Sequence, residues 1–222
     1  MEKIFIEAGD GKTISALYFK TDKPKGWLVL VHMMPSTKES WVNFAQTLQN
    51  EGFESIAMDL RGHGESEGGP EGYQSFSDSD HQKSILDLDA GVRYLLDKGA
   101  TPDKIIFIGA SIGANLSLQY TVEHPDVKTA VLLSPGINYR GIESEPLAKK
   151  LKTDQKIFLI GARDDNRSAG NMEDQIRAIE KSLPQDVLRE KKIYDTGGHG
   201  TDILKNHPDL VELIIKFIKI NE

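Results

Sequence analysis

Short, nearly unbroken apolar runs alternate along this chain with longer stretches in which apolar residues recur every three or four positions. The runs Trp27 to Val31, Ser55 to Met58, Ile105 to Ile108, Ala130 to Leu133 and Ile157 to Ile160 are mostly β-branched or leucine. A run without a polar face fits a strand covered on both sides, as in a parallel sheet. Lys192-Ile193-Tyr194 is weaker and reads as the last and most exposed strand. Ahead of these, Lys3 to Phe19 reads as a hairpin that turns at Gly9-Asp10-Gly11. Helical patterns fill the intervals. Ser36 to Glu39 has capping-box spacing, and Trp41, Phe44, Ala45 and Leu48 then mark one face before Gly52. Ile85, Leu88, Val92, Leu95 and Leu96 mark a second helix, and Met172, Ile176, Ile179 and Leu183 a third. A last helix, with Leu210, Ile214 and Phe217, starts at Pro208. Such alternation predicts an α/β fold: a doubly wound, mostly parallel sheet of about eight strands with helices on both faces. Residues 1–222 are expected to form one domain, with Gly62 to Asp80 as a long surface loop.

Composition removes several classes of function. Without cysteine there is no disulfide framework, thiolate metal site or cysteine nucleophile. A net charge of −7 argues against a basic face for nucleic acid or anionic lipid. No apolar stretch reaches the ~20 residues that span a bilayer, and Met1-Glu2-Lys3-Ile4 does not open a signal peptide. A cytoplasmic location is the expectation. Neither G-x-G-x-x-G nor a phosphate-loop lysine is present, which sets nucleotide binding aside.

Ligands of a doubly wound sheet sit at the carboxyl ends of its strands. The residues just beyond these strands are His32-Met33-Met34, Asp59, Gly109-Ala110-Ser111, Ser134, Asp164-Asp165 and His199. Gly109-Ala110-Ser111-Ile112-Gly113 fits the G-x-S-x-G elbow, and it lies where that motif requires, between a strand and a helical stretch. On so sharp a turn the Ser111 hydroxyl stands above the sheet as a nucleophile, and the Ile112 N–H at the helix start becomes an oxyanion donor. The alternative is a glycine-rich turn with a capping serine.

A serine hydroxyl needs a base. Of six histidines, His63, His81, His124 and His207 read as structural or solvated. His199, in Gly197-Gly198-His199-Gly200, comes after the last strand on a loop whose glycines let an imidazole swing over the sheet edge. A carboxylate must orient it. The order Ser, acid, His places that carboxylate between Ser111 and His199. Ser134-Pro135-Gly136 offers none, whereas Arg163-Asp164-Asp165 offers two. Asp165 is the choice, since Asn166 to Ala169 resembles the usual run into a helix; Asp164 is its rival. The second oxyanion donor should come from the loop after Val31. Pro35 has no N–H, which leaves Met34, with Met33 as rival.

Taken together, these motifs resemble the α/β-hydrolase superfamily over nearly the whole chain. Val29-Leu30-Val31-His32 stands where the superfamily has its oxyanion loop. Asp59-Leu60-Arg61-Gly62-His63-Gly64-Glu65-Ser66 is similar to a typical loop, and Gly198-His199-Gly200 to the histidine loop. Met33 departs from the pattern, taking a position where many relatives carry glycine. The resemblance implies that His32 bonds the loop backbone. It also implies a serine hydrolase of carboxylesterase type, with a Ser111-His199-Asp165 triad, an acyl-enzyme, no cofactor and no metal. The expected partner is a small to medium acyl ester. A peptidase, amidase or thioesterase would use the same residues, a carbon–carbon hydrolase would need a polar cap, and a catalytically inactive binding protein is the reading from another class. Many relatives insert a cap where this chain has only about twenty residues, Gly136 to Gln155. Ile137, Tyr139, Ile142, Leu147 and Leu151 there could form an apolar flap or pack as surface helix.

Overall fold

The computed structural model describes residues 1–167 and 170–219. In chain order the strands are β1 (Glu2–Glu7), β2 (Thr13–Phe19), β3 (Gly26–Val31), β4 (Phe53–Met58), β5 (Ile105–Ala110), β6 (Thr129–Leu133), β7 (Asn138–Tyr139), β8 (Ile142–Glu143), β9 (Lys156–Ala162) and β10 (Leu188–Tyr194). The α-helices are α1 (Val42–Asn50), α2 (Asp78–Gln82), α3 (Ile85–Asp97), α4 (Ile112–Glu123), α5 (Ser144–Ala148), α6 (Met172–Ser182), α7 (Asp202–Asn206) and α8 (Asp209–Ile218). Eight strands form one sheet in the order β1-β2-β4-β3-β5-β6-β9-β10, while β7 and β8 pair as a small separate hairpin. Within the eight-stranded sheet β2 is reversed, antiparallel to β1 on one side and to β4 on the other, and every other pairing is parallel.

The unbroken apolar runs become β3 to β6 and β9, every residue of which is buried. Successive side chains of a strand point to opposite faces, and the core divides accordingly. Leu28 and Leu30 join Trp41, Phe44, Leu48, Leu210, Ile214 and Phe217 on the face covered by α1 and α8. Trp27, Val29 and Val31 join Leu88, Val92, Leu95, Ile112 and Leu116 on the face covered by α3 and α4. Around Ala130, Leu132, Ile157 and Leu159, α6 contributes Met172, Ile176 and Ile179.

Two expectations need correcting. The capping-box helix at Ser36 does not form as predicted: Lys38–Trp41 is a 3-10 turn whose N-cap residue, Thr37, makes no side-chain capping bond, and α1 starts at Val42. Asp59 is the reason. Its buried carboxylate accepts from Lys38 N (2.8 Å) and from Lys38 Nζ (2.5 Å), so the turn is fixed from the end of β4 rather than by its own serine. Nor is Gly62 to Asp80 simply a surface loop. Gly62, His63 and Ser66 are buried, a 3-10 turn forms at Gly72–Ser75, and α2 opens on a capping box from Ser77. Of the run Asn166 to Ala169, Ser168 and Ala169 lie outside the described residues.

Register explains how distant residues meet. Val31 aligns with Gly109, Ala110 with Leu133, Leu133 with Ile160 and Ala162 with Tyr194. The strands therefore end at one level, and the chemically capable residues lie just past those ends. No helix among the described residues is long and apolar enough to cross a membrane.

Candidate active site

Ser111 sits between β5 and α4 with φ 56° and ψ −120°, a backbone state L-residues rarely hold. The turn survives because it is fixed on both sides. Ser111 N donates to Leu133 O (2.9 Å), and Ala114 N donates to Ser111 O (2.8 Å). The flanking glycines are sterically required. A Cβ on Gly113 would stand 2.7 Å from His32 O, and one on Gly109 would strike the Gly113 carbonyl. Ile112 is the first residue of α4, where helical amides lack intrahelical acceptors.

At the other end of the chain, His199 is buried, and its Nδ1 lies 2.7 Å from Asp165 Oδ2. An ionised carboxylate only accepts, so Nδ1 carries the proton, and Nε2 of the neutral ring is left with its lone pair. Burial pushes the Asp165 carboxyl up. The His199 bond and charge, the Ser134 hydroxyl and the Arg167 N–H outweigh it and hold the carboxyl below its ordinary range. Asp165 is thus ionised near neutrality. Its neighbour Asp164 turns elsewhere: its carboxylate accepts from Gly197 N (3.2 Å) and Gly198 N (3.0 Å). One aspartate reaches the imidazole and the other the backbone that carries it.

Gly200 brings the two halves together. A Cβ there would lie 2.6 Å from Met33 Sδ and 3.2 Å from Ala110 Cβ, so the histidine loop is seated against the residue before Ser111 and against the β3 loop. Among the described residues the Ser111 hydroxyl forms no hydrogen bond to His199. Such bonds are often long before substrate binds.

The β3 loop is held by His32. Leu60 N donates to its Nε2 (2.9 Å), which puts the ring proton on Nδ1 for Met33 O (2.9 Å). With both nitrogens engaged, His32 has no lone pair to offer a serine. Ser36 N donates to Met33 O (2.7 Å), so the bonds that hold this loop leave the Met34 amide outside them. Met33 is buried under Gly200, and Met34 is half-buried beside the core. His63 and His81 are buried and His207 stacks on Tyr194 at 3.8 Å, all away from a general-base role.

Sequence reasoning misses Ser134 because it is not a carboxylate. It is fully buried with φ 49°, and its Oγ accepts from Gly200 N (2.9 Å). Pro135 and Gly136 after it mark a forced turn, which is the available signal. Asn115 is missed too. From α4 its Nδ2 donates to Gly136 O and Ile142 O (both 2.9 Å), and its Oδ1 accepts from Gly136 N (3.1 Å). The segment after Gly136 is therefore packed down. Ile142 is buried with Ile112, Ala148 and Leu151 are buried with Ala114 and Leu118, and only Ile137 of the apolar residues named there stands exposed.

Comparison with solved structures shows the same fold in proteins of low identity. An esterase of Pyrococcus furiosus superposes with a TM-score of 0.76 at 22% identity, over 98% of this chain and 89% of that one. A thermostable carboxyl esterase from Bacillus coagulans gives 0.76 at 14%, over 98% and 97%. A predicted hydrolase from Thermoplasma acidophilum gives 0.74 at 20%, over 98% and 97%. Among curated proteins none matches. The family model described as serine aminopeptidase, S33 matches residues 22–201, a span that starts before β3 and closes two residues after His199. Since that match takes in the β3 loop, the serine elbow, both aspartates and the histidine loop, the chain belongs to the serine aminopeptidase S33 family of α/β hydrolases.

Proposed function

We propose that this hydrolase cleaves small to medium carboxylic esters through Ser111, His199 and Asp165. The observation that carries the reading is the 2.7 Å pairing of His199 Nδ1 with Asp165 on a loop seated against Ala110. That pairing leaves Nε2 free to act as the base. His199 takes the Ser111 proton as the hydroxyl attacks the ester carbonyl, and the Ile112 and Met34 amides receive the oxyanion. His199 then protonates the departing alcohol. Water, deprotonated by the same imidazole, attacks the acyl-enzyme; the acid leaves and Ser111 is restored. Asp165 keeps the tautomer and balances the imidazolium charge. The packed segment after Gly136 favours an open site for short acyl groups.

An amide would use the same steps with a poorer leaving group, and the family description names an aminopeptidase. The test compares matched chromogenic esters and amides. Esters are expected to turn over faster, and Ser111→Ala to lose ~10⁴–10⁶ in kcat. A fluorophosphonate probe is expected to label Ser111 in the folded wild type. Turnover retained by Ser111→Ala defeats the proposal, and a folded wild type that neither labels nor hydrolyses is a binding protein.

A further inference from the structure

We propose that Ser134 is a positioning residue, whose hydroxyl fixes the loop that carries His199 to the end of β6. The proposal rests on the triad reading above and deepens it. In the sheet β6 lies between β5, which carries the nucleophile, and β9, which carries the acid. The end of β6 bonds to both sides: Leu133 O accepts from Ser111 N (2.9 Å), and Ser134 N donates to Ile160 O (2.8 Å). Ser134 is thus joined through backbone to the two strands whose products must cooperate.

Its side chain completes the connection. Ser134 Oγ accepts from Gly200 N at 2.9 Å, directly after the imidazole-bearing residue. A hydroxyl that accepts can still donate, and the Ser134 hydroxyl is among the groups that stabilise the Asp165 carboxylate. Ser134, Asp165 and His199 are all buried, where hydrogen bonds to charge are strong. One oxygen therefore holds the loop that carries the base and favours the ionised form of the group that orients it.

Two features make this more than a stray contact. The loop Gly197-Gly198-His199-Gly200 is three-quarters glycine, so it loses much conformational freedom on ordering and needs outside restraint. Ser134 also has φ 49°, where glycine is the comfortable residue. Glycine would satisfy the backbone but bring no hydroxyl.

That contrast supplies the experiment. Ser134→Gly relieves the backbone and removes the hydroxyl, while Ser134→Ala removes the hydroxyl alone. Both are assayed on a chromogenic ester across pH, with melting curves to confirm folding. A hydrogen bond involving a charged group implies a loss of about tenfold or more in kcat, with KM within about twofold. The acid limb of kcat/KM moves to higher pH, because the Asp165 carboxylate without its hydroxyl donor puts more negative charge against the imidazole it orients. If Ser134→Ala does not fold, Ser134→Gly decides. Wild-type kcat in a folded Ser134→Gly protein overturns the proposal, as does a loss carried by KM or an unmoved acid limb. Failure of the triad reading looks different: the wild type itself then shows no turnover and no fluorophosphonate label at Ser111.

Discussion

Consecutive residues in a turn point in different directions, and that separates the work of Asp164 from that of Asp165. Asp165 is buried against the His199 ring, and Asp164, exposed, takes two glycine amides. Asp165→Asn is expected to cost ~10⁴ in kcat, because an amide cannot hold the same tautomer and charge. Asp164→Asn still offers one acceptor oxygen and should cost less than about tenfold, as an exposed bond to backbone contributes about 1 kcal/mol. Assays of both variants on one ester check the division, and reversed magnitudes would exchange the roles. Sequence spacing can place both carboxylates between Ser111 and His199 but cannot rank them by orientation, which depends on turn torsions. Ser111 is easier to find because the elbow's glycines are dictated by close backbone approach. Ser134 escapes because its role needs a positive φ and a neighbour sixty-six residues away.

At the scale of elements, the strands are legible because burial on both faces leaves no polar alternation to misread. The edges are less so. β10 runs from Leu188, four residues earlier than its apolar core suggests, because its polar side chains face solvent while the backbone pairs with β9. The helix start at Val42 is hidden because Asp59, a residue on another element, supplies the bonds. A second buried charge does similar work. Arg61 donates to Asp87 through Nε (2.9 Å) and Nη2 (2.7 Å), and to Asp10 through Nη1 (2.7 Å), tying α3 and the β1–β2 turn to the end of β4. Asp87→Ala leaves Arg61 buried with only the partly exposed Asp10. The expected cost is about 3 kcal/mol, at the low end for a broken buried pair, read from urea unfolding.

The whole molecule keeps three buried imidazoles neutral. Burial, with His63 nearby, holds His32 down at about 3; burial and Arg140 hold His81 at about 4; burial lowers His63 as well. The unfolded chain protonates its histidines at about 6.5. Folded values below that mean a contribution present above about pH 6.5 and lost as pH falls toward the folded values. Depressed carboxylates such as Asp165 and Asp10 add their loss below about pH 4. Melting temperature should therefore begin to fall below about pH 6.5, and His81→Phe, packed on Phe76, should shallow that decline. An equally steep profile in the variant would remove His81 from the account.

The fastening of Gly136 and Ile142 by Asn115 has a kinetic consequence. Enzymes with a hinged cover over the nucleophile gain activity when their substrate aggregates, because a lipid–water boundary draws the cover aside. Here the start of the corresponding stretch is bolted by three hydrogen bonds to the helix that follows Ser111. Rates on a short-chain ester emulsion should pass smoothly through the concentration at which monomers give way to micelles, with no jump.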